Sequence, residues 1–291
     1  MGDVLAWYAD HARDLPWRAD ERTPWGVMVS EVMLQQTQVS RVEPRWRDWM
    51  TRWPTPADLA AAPLAEVIVA WQGLGYPRRA LRLHAAAAAM VQRHAGEVPS
   101  TYEALRALPG VGDYTASAVL AFAYGSAVPV LDTNVRRVLH RWLLGSAFPA
   151  AASVGRYERD LAAELLPGGG LAPVWSVAVM ELGALICTAR RPACPHCPLA
   201  ASCRWRQAGQ PPGAPPTGQA RFEGSDRQAR GFLLKAVAGS PGRAPAALIG
   251  EWVSVRRGDQ AAAAQGERAL ASLLADGLLA TRDGCLILPP G

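Results

Sequence analysis

Apolar residues recur at three- and four-residue spacing through most of residues 1–207. This predicts helices around 25–52, 57–71, 78–94, 101–107, 114–125, 133–144, 154–166 and 171–187. Pro54, Pro56, Gly73, Gly75, Pro99, Pro109, Gly110, Gly112, Pro149 and Gly168 to Gly170 punctuate the pattern. No convincing series of strands interrupts it. One charge violates it. In WGVMVSEVMLQQTQVSRV (Trp25 to Val42), Glu31 falls beside Val27, Met28 and Leu34 on a helix wheel, and the amides Gln35, Gln36 and Gln38 follow. A carboxyl on an apolar stripe loses its hydration, so it is either satisfied by buried partners or kept for chemistry.

QAGQPPGAPPTGQA (207–220) reads as an extended linker. Beyond it, Ser225 and Asp226 are placed to cap a helix running to about Val237. A second helical patch lies near 245–253. QGERALASLLADGLL is an amphipathic helix, and LATRDGCLIL reads as a hairpin turning at Asp283-Gly284. Three helices and a hairpin form a small α/β, winged-helix-like pattern.

With 291 residues, half of them hydrophobic and 19% charged, the chain is long enough for one large or two modest domains and is not a disordered chain. It has no apolar run of bilayer length and no signal-peptide h-region at its start. We therefore expect a soluble, cytoplasmic monomer with no membrane partner. A net charge of +5 suits a polyanion. Of 30 basic residues only Lys235 is a lysine, so amine nucleophiles are almost absent.

CTARRPACPHCPLAASC places Cys187, Cys194, Cys197 and Cys203 in the spacing C-x6-C-x2-C-x5-C. Four thiols this close point to a metal centre rather than to disulfides. Zinc, with His196 as a further candidate ligand, and a [4Fe–4S] cube both fit this spacing. Arg190, Arg191, Arg204 and Arg206 surround the run, where they could face phosphates. Cys285 reads as a buried thiol in the tail hairpin.

ALRALPGVGDYTASAVLAFAYG is helix, tight turn, helix. The glycines of Leu108 to Gly112 let the backbone turn sharply, and the free N–H groups at the start of the second helix can take an anion. This is the pattern of a helix-hairpin-helix, with Gly110, Val111 and Gly112 at a DNA phosphate. In AVPVLDTNVRRVLHRWLL, Asp132 reads first as a helix N-cap, and Arg136, Arg137 and Arg141 read equally as a solvated basic face.

LPWR (15–18), SEVMLQQTQV (30–39), WQGLGYPRRALRL (71–83), LPGVGDYTA (108–116), VLDTNVRRVL (130–139), MELGALIC (180–187) and the cysteine run occur in one order. Together they closely resemble the adenine DNA glycosylases of the MutY family, in the helix-hairpin-helix glycosylase superfamily, over residues about 5–206. The resemblance implies a mainly α fold of two helical domains flanking a DNA cleft. Residues 1–22 with 131–206 would form the [4Fe–4S] domain and 23–130 a six-helix domain, followed by the linker and a small module at 221–291. It implies that Glu31 and Asp132 face each other across the cleft. It also implies removal of adenine opposite 8-oxoguanine or guanine in duplex DNA, leaving an abasic site. Glu31 would be the general acid at N7 and Asp132 the stabiliser of the sugar cation, with Tyr114 and Asn134 as polar supports. Arg18 and Glu181 would line the adenine pocket. Gln36 and Tyr76 stand at the family's wedge positions, Thr37 and Leu74 at its 8-oxoguanine side. The four cysteines would hold the cluster.

Some positions depart from the family pattern. The second Tyr of GLGYY is Pro77 here, and DGN is Asp132-Thr133-Asn134. Residues after 220 are too few for the family's Nudix-like domain, and neither Phe222 nor Phe232 opens its Phe-Ser-His loop. Related endonuclease III-like lyases use a Schiff-base lysine where this chain has Tyr114. A glycosylase with lyase activity, or a non-catalytic iron–sulfur DNA-binding regulator, are the competing expectations.

Overall fold

The computed structural model describes residues 1–214, 221–257 and 260–290. The helices follow in chain order: α1 Gly2–His11, α2 Pro24–Leu34, α3 Val39–Arg52, α4 Pro56–Ala61, α5 Leu64–Ala70, α6 Arg78–Arg93, α7 Tyr102–Arg106 and α8 Asp113–Tyr124. Next come α9 Thr133–Leu139, which continues into a π turn at His140–Leu144, α10 Arg156–Glu164, α11 Ala172–Leu185 and α12 Arg204–Gln207. The tail holds α13 Asp226–Gly239, α14 Pro245–Val255, α15 Gln260–Ala275, β1 Ala280–Arg282 and β2 Cys285–Ile287. No described helix is long and apolar enough to cross a membrane.

Two compact units form. The first comprises Met1–Glu31, Ser100–Ala107 and Val111–Gly218; the second comprises Val32–Pro99, Leu108–Gly110 and Gln219–Gly291. These bounds differ from the expected ones. Glu31 and Asp132 both belong to the first unit, and the tail module joins the second instead of standing apart. The core of the first unit is built by Val4, Val135, Val138, Leu139, Trp175, Val179 and Leu182, so α1, which periodicity did not single out, closes over α9 and α11. In the second unit Trp49 packs edge-on against Trp53 and Trp71, with ring centroids 4.6 and 5.4 Å away.

Two predicted helices are divided. Residues 25–52 break after Leu34, and Gln36 adopts φ 56° before α3 starts. Residues 57–71 break at Pro63, which caps α5 because it lacks the N–H needed to continue α4. The tail follows its expected elements, although Cys285 is only half-buried. The Ser225 side chain accepts from Gln228 N–H at 3.4 Å. Arg282 pairs with Cys285 across the two-residue turn Asp283-Gly284, whose φ values of 51° and 74° are those of a type I′ hairpin. Arg243 bridges to Leu286 as a third, single-residue strand, which completes the winged-helix order of elements. Within the expected linker, Trp205 Nε1 donates to the Pro211 carbonyl at 2.8 Å; residues 215–220 lie outside the described residues.

Candidate active site, cysteine cavity and arginine-tied loops

Glu31 sits near the end of α2, where every residue from Trp25 to Met33 is buried. It is 6% exposed. Tyr114, in the first turn of α8, donates its hydroxyl to Glu31 Oε2 at 2.8 Å. Burial pushes the carboxyl up to about 7; the Tyr114 bond and the Arg18 charge pull it down, and the charge of Asp132 pushes it up again. The same burial holds the Tyr114 phenol well above its ordinary value, so it remains a donor.

Asp132 is both an N-cap and a site group. Its Oδ1 accepts the Val135 N–H at 2.7 Å, and its Oδ2 accepts from Asn134 Nδ2 at 2.7 Å. Burial raises this carboxyl, while those two donors, the Asn134 backbone and Arg137 hold it down. Asn134 is fixed in turn: Arg137 Nη2 donates to its Oδ1 at 2.8 Å and to the Gly183 carbonyl at 2.6 Å. A Cβ on Gly183 would stand 2.7 Å from the Asn134 Cβ and 2.9 Å from its carbonyl oxygen, so glycine is what lets α11 approach α9 here.

The expected solvated basic face does not exist. Arg136, Arg137 and Arg141 are 6%, 8% and 2% exposed. Arg136 pairs with Glu158 at 2.8 Å and donates to the carbonyls of Ala151, Ala152 and Ser153. Arg141 donates to the carbonyls of Ala147, Thr188 and Ala189. These buried guanidiniums are satisfied by carbonyls and a carboxylate of the surrounding chain.

Glu181 is wholly buried and accepts from Arg13 Nε at 2.5 Å, Arg13 Nη2 at 2.9 Å and Arg18 Nη2 at 3.0 Å. Those bonds hold its carboxyl below the ordinary range despite burial. With both oxygens engaged, Glu181 orients Arg18, whose Nη1 is a buried donor with no partner among the described residues. The sequence reading missed Arg13, since 168 residues separate it from its partner.

Cys187, Cys194, Cys197 and Cys203 line one cavity with Arg141 and Trp205. Arg141 Nη1 lies 3.5 Å from Cys187 Sγ, and Gln210 Nε2 lies 3.1 Å from Cys194 Sγ. Among the described residues, no three His, Cys, Asp or Glu side chains converge as a single metal ion requires. Four thiols around one shared cavity are a donor set that fits a cysteine-held metal centre.

The helix-hairpin-helix turn has the expected elements. Gly110 takes φ +79°, and a Cβ there would meet the Arg82 Cβ at 2.7 Å. Val111 is buried. Gly112 is the N-cap of α8 and gives it no side-chain cap, which leaves first-turn N–H groups open to an anion. Asp113, the acid beside them, is engaged by Arg106 at 2.7 Å and by the Tyr102 hydroxyl at 3.0 Å.

In the second unit, Gln36 and Tyr76 have φ 56° and 48°, a left-handed backbone that a bulky side chain rarely takes. Arg79, 7% exposed, ties the two loops together. Its Nη1 donates to the Val32, Met33 and Gln35 carbonyls at 2.7–2.9 Å, and its Nη2 to Thr37 Oγ1, Leu74 O and Gly75 O at 3.0 Å. The guanidinium also lies 5.3 Å from the Trp71 ring and 5.6 Å from the Tyr76 ring. Desolvation lowers Arg79 to about 10, still charged at neutral pH. Thr37 donates to the Leu74 carbonyl at 3.0 Å, and the Leu74 side chain is buried. The sequence reading did not single out Arg79.

Known proteins are similar to this chain over most of its length. The model of the HhH-GPD superfamily of base excision DNA repair proteins matches residues 29–161. An adenine DNA glycosylase of Mycobacterium tuberculosis is 50% identical and covers 99% of this chain and 92% of its own. The human adenine DNA glycosylase is 45% identical over 71% of this chain and 39% of its own. Among solved structures, a thermostable thymine-DNA glycosylase superposes with a TM-score of 0.66 at 27% identity, covering 71% of this chain and 94% of that one. A trapped endonuclease III–DNA complex shares the fold, with a TM-score of 0.61 and 24% identity over 72% of this chain and 95% of that one.

Proposed function

Because the chain belongs to the adenine DNA glycosylases of the helix-hairpin-helix base-excision superfamily, we propose that it excises adenine paired with 8-oxoguanine, or with guanine, by hydrolysis at Glu31 and Asp132. The observation that carries this reading is Glu31 itself: a carboxyl buried in α2, held by one neutral donor and raised to about 7. Adenine is a poor leaving group until a ring nitrogen is protonated, and a carboxylic acid that titrates near neutrality is suited to do that. An extruded adenine would receive the Glu31 proton at N7. The N-glycosidic bond then breaks with its electron pair leaving on the base, and the sugar carbon becomes cationic. Asp132, with Asn134 and the Val135 N–H fixing both its oxygens, stabilises or briefly traps that carbon. Water adds there, its proton returns to the carboxylate, and an abasic site remains. Arg18, steered by Glu181 and carrying an unpartnered buried N–H, supplies a donor for the base.

Gln36 and Tyr76 would fill the gap left by the flipped base, with Thr37 and Leu74 beside the opposite strand; their strained, tightly held backbones support that use. The turn at Gly110, Val111 and Gly112 would grip a phosphate. Cys187, Cys194, Cys197 and Cys203 would hold a [4Fe–4S] cluster, which supplies a rigid structural centre to the loop they span. Iron and sulfide in about equal amounts, with a visible absorption band, would support it; zinc would refute it. A lyase reading is disfavoured, because Tyr114 donates to Glu31 where a Schiff-base amine would be needed, and Lys235 lies on α13 in the second unit.

The test is excision from an adenine:8-oxoguanine duplex under single-turnover conditions. Wild type should release adenine and leave an alkali-sensitive, uncut strand. Glu31→Gln and Asp132→Asn should each lose about 10²–10⁴-fold in rate. Equal rates for all three, or strong direct nicking trapped by borohydride, would refute the mechanism. The ratio of rates on adenine:8-oxoguanine and adenine:guanine measures how far the chain reads the oxidised base.

A further inference from the structure

We infer that Arg227, in the first turn of the helix that opens the tail module, is a positioning residue for Tyr76, so that the module acts as a brace on the duplex-probing loop. The inference rests on the reading of Tyr76 given above. Arg227 Nη1 donates to the Tyr76 hydroxyl at 3.0 Å, across 151 residues of sequence. Tyr76 carries a left-handed backbone at the end of a loop whose Gly73 and Gly75 also have positive φ, so its ring direction is not set by local preference. Arg79 lies against one part of the ring and Arg227 fixes its far end.

The module is also anchored at both stems of that loop. Ile68 in α5 is buried in one apolar cluster with Leu233, Val237, Leu248, Trp252 and Leu273, and Leu64 and Leu81 pack against it. Arg78, at the start of α6, reaches Asp276 at 3.5 Å, and Asp276 also accepts from Arg230 at 2.7 Å. The helices before and after residues 71–77 are thus held by the same body that touches the loop's aromatic tip. A winged-helix module that read DNA by itself would be expected to show a basic third helix. In α15 the single basic residue, Arg268, lies 3.7 Å from Asp226, which favours bracing over independent DNA reading.

The experiment uses the full chain. Dissociation constants are measured for a duplex with 8-oxoguanine opposite an adenosine made uncleavable by a 2′-fluoro group, and for an undamaged duplex. Arg227→Ala and Tyr76→Phe should each weaken binding of the mispair about fivefold, the worth of one hydrogen bond, and Arg227→Ala should leave undamaged-duplex binding in place. The double variant should be no weaker than the poorer single one, and Arg227→Lys should recover most of the loss. If the two effects multiply, or if Arg227→Ala binds as wild type while Tyr76→Ala does not, the brace is refuted and the wedge reading survives. If Tyr76→Ala binds the mispair as wild type, both fall. Should Arg227→Ala lower the urea midpoint, Tyr76→Phe, which deletes one hydroxyl, still tests the contact.

Discussion

Glu31 and Glu181 are both buried glutamates on helices of the same unit, and they are driven in opposite directions. Glu31 is raised to about 7, while Glu181 is lowered although its side chain too is shut off from solvent. The difference lies in their partners. Glu31 receives one bond from a neutral phenol, whereas Glu181 receives three from two guanidiniums. Burial alone therefore does not decide the charge of a carboxyl. The number and charge of the donors offered in exchange for water do. One acid is left able to give up a proton, and the other is committed to holding a cation in place.

The contrast can be broken most forcefully at Glu181. Glu181→Gln removes the anion between Arg13 and Arg18 and should destabilise the protein by about 3 kcal/mol in urea unfolding. That is the lower end for a broken buried pair, because Arg13 retains access to water. Glu31→Gln should do the opposite. Its folded value of about 7 lies above the ordinary 4.5, so the neutral acid stabilises the fold at low pH, and that contribution is lost as pH rises towards 7. At pH 8 the substitution should raise stability by about 2 kcal/mol. This is the roughly 3 kcal/mol spent on ionising Glu31, less about 1 for the unsatisfied amide N–H. The gain should vanish below pH 4.5. A variant that is more stable and inactive marks the acid as functional rather than structural. Glu181 has the reverse sign: its contribution is present above pH 4.5 and fades as pH falls through its lowered value.

Two smaller effects sharpen the picture. Excision by wild type should fall tenfold per unit above about pH 7 as Glu31 ionises. Tyr114→Phe removes a bond that favours the anion, so the descending limb should move to higher pH. A limb that stays in place would mean that another group controls it.

Much of this arrangement is legible in the residues. Glu31 stands out as a charge on an apolar stripe, the tail hairpin follows from Asp283-Gly284, and the Ser225 cap follows from its place before an apolar period. What the chain does not disclose locally is carried by contacts between distant residues. The break at Gln35 to Gln38 depends on Arg79, which takes carbonyls more than 40 positions away, and periodicity in a window of 18 residues carries no trace of it. Arg13 and Gly183 are invisible for the same reason. The basic run after Asp132 misleads because charge counts do not register the loop carbonyls that bury those guanidiniums.

The seat of the tail module has a consequence for how the protein is made. Leu64, Ile68 and Leu81 are synthesised about 150 residues before the helices that cover them. On the ribosome, where the N-terminal parts fold first, this apolar face stays open until α13 to α15 have emerged. The loop that would probe DNA thus receives its support among the last steps of synthesis. A chain released early would lack the brace on that loop and would carry a hydrophobic surface that quality control can recognise.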